Sequence, residues 1–220
     1  MLDKGSASIT TQIIAVTGPM AAGKNYYCSK LQQDGWACID ADELVHKAID
    51  IAKDRILDTF TPYAIKQNIK ITKADGSIDR HELGRLLFSI PELLTIQESI
   101  VYPIINTWIK DFIAKHEKIV INATVLYKTP ELLRLCQRIF FVTAPFFTRL
   151  IRARKRDHLS YHQLLKRFWS QRKLLSEYKQ FEIPIVLIKN SRNNNYNSKF
   201  SGAFKHEPKE IHPKKQQKKL

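Results

Sequence analysis

The sequence holds only three cysteines, Cys28, Cys38 and Cys136, odd in number and scattered along the chain. Such a set argues against a disulfide framework and a cysteine-built metal site, and fits a reducing cytoplasm. Long apolar runs are missing too. None reaches the roughly 18 residues that a membrane-spanning helix needs, so no membrane segment is expected. The opening stretch MLDKGSASITTQ has no apolar core of the kind a secretory leader carries, so no leader is expected and the cytoplasm is the expected location. His46, His81, His116, His158 and His162 show no metal-ligand spacing, and the near pair His158 and His162 sits among cations, so no zinc site is expected. No internal repeat is visible.

What is present is enough for a packed core. The 220 residues are 44% hydrophobic and 10% aromatic, which fits one domain of generous size, or a core with a small insertion. The formal net charge is +15, from 36 Lys and Arg against 21 Asp and Glu. Such an excess suits a polyanion: nucleic acid, anionic lipid or a phosphorylated small molecule. Its placement says more. Residues 149–179 carry a net +8 and residues 205–220 a net +4, while the first 148 residues are close to balanced.

Ile13–Thr17 is short, β-branched and stopped by Gly18-Pro19, so it reads as a buried strand. Trp36–Ile39, Lys118–Asn122, Arg138–Thr143 and Ile183–Ile188 read the same way. Between them lie helical patterns. Lys24–Gln33 ends near Gly35. Asp42 is the expected cap or first-turn residue of a long helix to about Phe60. Asp75-Gly76 marks a turn, and Asp79 caps a helix through Phe88, with Glu82 completing a capping-box-like pattern. Pro91 opens a helix over 91–115 that Pro103 should kink or divide. Further helices run from Pro145 to about Asp157 and from Ser160 to about Phe181. Residues 191–220 read as a basic, flexible tail. Alternating strands and helices predict an α/β fold with a parallel sheet between helical layers.

The first strand runs into Gly18-Pro19-Met20-Ala21-Ala22-Gly23-Lys24-Asn25, a G-x-x-x-x-G-K phosphate loop in its proper place between strand and helix. Glycines let the backbone curl so that N–H groups converge on phosphate oxygens, and the next helix adds its positive end. Lys24 is placed to reach the β- and γ-phosphates. The pattern wants Ser or Thr next, as a hydroxyl ligand for Mg²⁺; Asn25 offers an amide oxygen instead.

The second strand ends in Asp40-Ala41-Asp42. In an extended chain residues two apart face the same way, so both carboxylates are expected at the carboxyl ends of the strands. One would accept a substrate hydroxyl proton and the other would order metal-bound water, with Asp40 and Asn25 as the candidate Mg²⁺ ligands. The alternative is that Asp42 only caps its helix and Asp40 only solvates the strand end.

Taken together, the loop, Asp40-Ala41-Asp42, Asp75-Gly76-Ser77-Ile78-Asp79-Arg80 with Leu83, Glu98-Ser99-Ile100-Val101-Tyr102-Pro103, Arg152, Arg156-Asp157, Leu159-Ser160, Gln171 and Asn190 resemble the dephospho-coenzyme A kinase family over about residues 12–190. The resemblance implies a three-layer P-loop kinase fold: a five-stranded parallel sheet flanked by helices, a helical substrate-binding region about 61–116 and a lid about 145–180, all in one domain over 1–190. It implies transfer of the ATP γ-phosphoryl group to the ribose 3′-hydroxyl of dephospho-coenzyme A. By the same resemblance Asp42 is the base, Lys24 neutralises the transferring group, and Arg156 with Arg152 clamps the ATP phosphates. Residues Pro19, Met20, Ala21, Ala22, Gly23, Lys24 and Asn25 would hold ATP, and Asn190 would lie near its adenine. Asp40, Asp42, Arg80 and Tyr102 would meet the acceptor substrate.

The chain departs from the family pattern in places. Tyr102 stands where a His precedes the proline. After the third strand the run reads Asn122-Ala123-Thr124-Val125-Leu126-Tyr127-Lys128, where the family has acidic–Pro–Leu–Leu–aromatic–Glu, and Arg149 stands for a common Gln. Two other classes stay open: a nucleotide- or nucleic-acid-binding P-loop protein without turnover, and a P-loop kinase of nucleosides or nucleotides. The stretch 149–179 could be a nucleic-acid groove with Tyr161, Phe168 and Trp169 as stacking faces. Its leucines follow helical spacing, so those aromatics are expected in the core and a basic lid is favoured. Nucleic acid is expected at most weakly, through the tail; the sequence does not give the oligomeric state.

Overall fold

β1 (Gln12–Thr17) is buried along all but its first residue, the pattern of a strand covered on both faces. It is the middle strand of a five-stranded parallel sheet ordered β2-β3-β1-β4-β5. The computed structural model describes residues 11–157 and 160–190. The sheet's other strands are β2 (Ala37–Asp40), β3 (Lys118–Asn122), β4 (Arg138–Thr143) and β5 (Ile185–Lys189). Register aligns the carboxyl ends: Val16 pairs with Asn122, Thr17 with Phe141, and Thr143 with Lys189. The chain leaves β1 at this edge between β3 and β4, where a parallel sheet opens a crevice for ligands.

The chain divides into two compact units, one formed by the described residues through Ile39 and from His116 onward, the other by Asp40–Lys115. The first unit holds the sheet. α1 (Lys24–Gln33) packs Tyr27, Cys28 and Leu31 against Ile14, Val16, Val120, Phe140 and Val142. A short turn of helix at Leu126–Lys128 and α6 (Pro130–Leu133) bridge β3 to β4. Then come α7 (Phe146–Asp157), α8 (Tyr161–Ser170) and α9 (Leu174–Tyr178). The single helix expected from Ser160 to Phe181 is therefore two. Its start is as read: Ser160 caps α8 in a full capping box with Gln163.

The second unit is helical. α2 (Ala41–Ile51) and α3 (Lys53–Lys66) replace the long helix expected to end near Phe60. The chain breaks at Ala52, then runs on through Pro62, because Ile56, Phe60 and Ala64 bury one face. α4 (Arg80–Ser89) starts where Asp79 accepts from the His81 and Glu82 amides. Glu82, expected to complete a capping box, instead sets its carboxylate on Arg85 at 2.6 Å and His81 at 3.0 Å. α5 (Pro91–Ile113) is one unbroken helix, not divided at Pro103. The lost hydrogen bond is outweighed by burial of Leu93, Ile100, Val101, Ile105 and Ile109. No helix among the described residues is long and apolar enough to cross a membrane.

Candidate active site

The phosphate loop is shaped by three left-handed or extended glycine-type positions. Gly18 has φ 147°, and a Cβ there would strike the Val142 carbonyl, so the chain can pass β4 this closely only as glycine. Gly23 has φ 100° and stands at the head of α1; a Cβ there would run into Asn190 Nδ2. Ala21, at φ 60°, takes the left-handed conformation without being glycine. Ala22 N–H donates to the Pro19 carbonyl at 3.1 Å and closes the turn.

Side chains from outside the loop fix it. Asn190 Nδ2 donates to the Ala22 carbonyl at 2.9 Å, and its own N–H donates to Thr143 at 2.6 Å. Gln171 Oε1 accepts from Met20 N–H at 2.7 Å. Arg149 Nε donates to the Met20 carbonyl at 2.9 Å while its guanidinium stacks 4.4 Å over Phe168. Burial lowers the Arg149 pKa from its usual value. Met20 and Ala21 also pack on an apolar cluster of Ala153, Leu164 and Phe168 from α7 and α8. The loop is thus bonded to and packed against the basic helices, and Arg149 supplies one of those bonds.

Lys24 Nζ donates to Thr124 Oγ1 at 2.9 Å and reaches the Gly18 carbonyl at 3.4 Å. This holds the ammonium across the loop. Asn25 Oδ1 accepts from Asn122 Nδ2 at 3.1 Å. Behind Thr124 stands Tyr178, fully buried. Its hydroxyl donates to the Thr124 carbonyl at 3.1 Å, accepts from Leu126 N–H at 2.9 Å and meets Thr17 Oγ1 at 2.9 Å. Sequence reasoning missed this contact. Nothing in Leu174-Leu175-Ser176-Glu177-Tyr178 distinguishes that ring from any other core aromatic.

Of the two arginines expected to clamp ATP, Arg152 Nη1 lies 3.7 Å from where a Cβ on Gly23 would sit, so it belongs to the loop's surroundings. Arg156 is bound to Asp157 in a fork, Nε to Oδ1 at 2.6 Å and Nη2 to Oδ2 at 3.0 Å, which raises its pKa further. The aromatics of this stretch correct an expectation. Phe168 is core, but Trp169 is 69% and Tyr161 60% exposed. Their helical spacing turns them outward, where Arg172 stacks on Trp169 at 4.4 Å and Arg154 on Tyr161 at 5.4 Å.

In the second unit, Asp40 and Asp42 do not share an extended chain. The strand stops at Asp40, whose Oδ1 accepts from Asp42 N–H at 2.9 Å and Glu43 N–H at 3.2 Å, and Asp42 is already helical. Asp40, not Asp42, is the N-cap, since a carboxylate there meets the orphan amides of the first turn. Burial raises the Asp40 pKa, opposed by the two cap bonds. Arg80 forms an exposed ion pair with Asp50, and Tyr102 lies half-buried on α5. The C-terminal tail expected over 191–220 lies outside the described residues, as do His158 and Leu159.

The family model described as dephospho-CoA kinase matches residues 12–195. A dephospho-CoA kinase of Treponema denticola is 36% identical over 184 residues, covering 81% of this chain and 82% of its own. That of Treponema pallidum is 34% identical over 165 residues, covering 73% and 78%. Among solved structures, a Thermus thermophilus protein matches with TM-score 0.70 at 23% identity, over 89% of this chain and 95% of its own. The dephospho-CoA kinase of Campylobacter jejuni matches with TM-score 0.53 at 24% identity, over the same shares. The sheet order, the loop with its lysine and these matches agree: the chain belongs to the dephospho-CoA kinase family.

Proposed function

We infer that this chain uses ATP to phosphorylate the ribose 3′-hydroxyl of dephospho-coenzyme A, releasing coenzyme A and ADP, the last step of coenzyme A synthesis. Family membership supports the substrate pair. The observation that carries catalysis rather than binding alone is Lys24, held by Thr124 Oγ1 and the Gly18 carbonyl across the phosphate loop. A point charge in that place stabilises the spread of charge on a transferring phosphoryl group. Neither the reading without turnover nor that of a nucleoside or nucleotide kinase is favoured by the relatives.

In the proposed reaction the substrate 3′-oxygen forms a bond to the γ-phosphorus while the bond to the β,γ-bridging oxygen breaks, and ADP leaves. Asp42 takes the hydroxyl proton. Backbone N–H groups among residues 20–25 bind phosphate oxygens, and Arg152 and Arg156 receive the remaining negative charge. For Arg156 this means exchanging its fork on Asp157 for phosphate. Asn190 borders the adenine. Asp40, Arg80 and Tyr102 serve the acceptor side, with about 61–116 as the substrate-binding region and about 145–180 as the lid, which excludes water when closed.

Mg²⁺ takes hard oxygen ligands, and the Asn25 carbonyl oxygen, presented by its bond from Asn122, fits that requirement. Asn25 would hold the ion, with Asp40 as a further candidate through its carboxylate. When bound, Mg²⁺ neutralises charge on the β- and γ-phosphates. A cytoplasmic location fits the scarce, free thiols.

Substrate competition tests the reading. With Mg-ATP fixed, kcat/KM for dephospho-coenzyme A should exceed those for adenosine and AMP by orders of magnitude. Equal or better use of AMP would replace this assignment with a nucleotide kinase.

A further inference from the structure

We propose that Tyr178 is a positioning residue for phosphoryl transfer, acting through Thr124 on Lys24; this rests on the kinase reading above. Three observations converge. Thr124 is a side-chain partner of the Lys24 ammonium, at 2.9 Å. The backbone that presents Thr124 is pinned on both sides by one hydroxyl: Tyr178 donates to the Thr124 carbonyl at 3.1 Å and accepts from Leu126 N–H at 2.9 Å. The same hydroxyl meets Thr17 Oγ1, at the end of β1 and one residue before the phosphate loop.

The ring has little freedom. It is fully buried and packs edge-on against Tyr127, at 5.5 Å between centroids, and Phe141 of β4, at 6.3 Å. A fixed ring with a hydroxyl at its tip sets the height of residues 124–126 above the sheet. Thr17 has one proton and two acceptors within reach, Tyr178 Oη at 2.9 Å and the Thr124 carbonyl at 3.2 Å, so the three groups form a closed triangle. Tyr178 ends α9, and Gln171, just before α9, receives Met20 N–H. The stretch 171–178 therefore holds the loop on one side and the partner of its lysine on the other.

The test combines Thr124→Val, Thr124→Ser and Tyr178→Phe, read by ATP affinity in calorimetry and by kcat. Thr124→Val and Tyr178→Phe should each weaken ATP binding and lower kcat by about tenfold, with KM for dephospho-coenzyme A unchanged. Thr124→Ser restores the hydroxyl and should recover most of the loss. The double variant Thr124→Val/Tyr178→Phe should be no worse than Thr124→Val alone, because both changes break one chain of contacts. Full ATP affinity and kcat in Tyr178→Phe, or losses that multiply in the double variant, would overturn the proposal. Should Tyr178→Phe not fold, Thr17→Val probes the same triangle and must show the same non-additivity with Thr124→Val. If the wild type forms no coenzyme A, the kinase reading fails, and the ATP-binding arm still decides on Tyr178.

Discussion

Asn122, buried at the end of β3, donates its side-chain amide to Asn25 Oδ1 at 3.1 Å. Two neutral amides thus meet where the phosphate-loop pattern has a hydroxyl. The pair orients the Asn25 oxygen, and the prediction concerns that oxygen. Asn25→Thr supplies a different oxygen and should retain turnover at saturating Mg²⁺. Asn25→Leu supplies none, and the Mg²⁺ concentration giving half-maximal rate should rise about 10–100-fold. An Asn25→Leu protein with an unchanged Mg²⁺ titration would remove Asn25 from the metal.

Gly23→Ala should damage the loop by two routes. The φ of 100° strains any side chain, and the new methyl meets the Asn190 amide that bonds Ala22. The conformational part alone is worth about 1–2 kcal/mol. Thermal unfolding should start about 2–8 °C lower, and ATP affinity should fall with it, as measured by calorimetry.

Asp42→Asn should lower kcat by about 10²–10⁴, the usual contribution of a positioned proton acceptor. ATP affinity should stay within about twofold, since Asp42 is assigned to the hydroxyl and not to the phosphates. Steady-state kinetics with calorimetry separates the two. Loss of ATP binding with kcat intact would reverse the assignment.

Asp40 gives a pH-dependent prediction. Burial holds its folded pKa above the unfolded value, so the folded chain keeps the proton longer. The stability that Asp40 contributes therefore falls as pH rises from about 3.9, the unfolded value, and stays lower once the folded carboxyl has ionised. Asn at 40 keeps an acceptor for the Asp42 and Glu43 amides and carries no charge. Asp40→Asn should thus gain on the wild type across that rise and hold a constant advantage toward neutrality, read as the difference in unfolding temperature between acid and pH 7. A difference that shrinks with rising pH would contradict the burial argument.

The strands and the loop were legible because their signals are local. A β-branched run of five residues, a glycine stop and a lysine need no tertiary information. The break at Ala52 was not legible, since alanine favours helix and no Gly or Pro marks the place. Pro103 misled in the other direction: it sits in a helix that buried side chains keep intact. At the site, Lys24, Gly23 and Asn190, all singled out in the sequence, lie around one loop. Asp42 lies in the first turn of α2, one of the two places read for it, and the cap is Asp40, because extended-chain alternation ends there. Thr124, Asn122 and Arg149 had shown themselves only as departures from a family pattern. Tyr178 had shown nothing, because a hydroxyl that finds its partners some 50 and 160 residues away leaves no trace in spacing.

The central claim is tested by incubating the purified protein with Mg-ATP and dephospho-coenzyme A and following both products by chromatography and mass. The account predicts coenzyme A, phosphorylated at the ribose 3′ position, and ADP in equal amounts, with neither formed above background by Lys24→Ala. ATP bound but no coenzyme A formed with any divalent metal, or ADP released without coenzyme A, would contradict it.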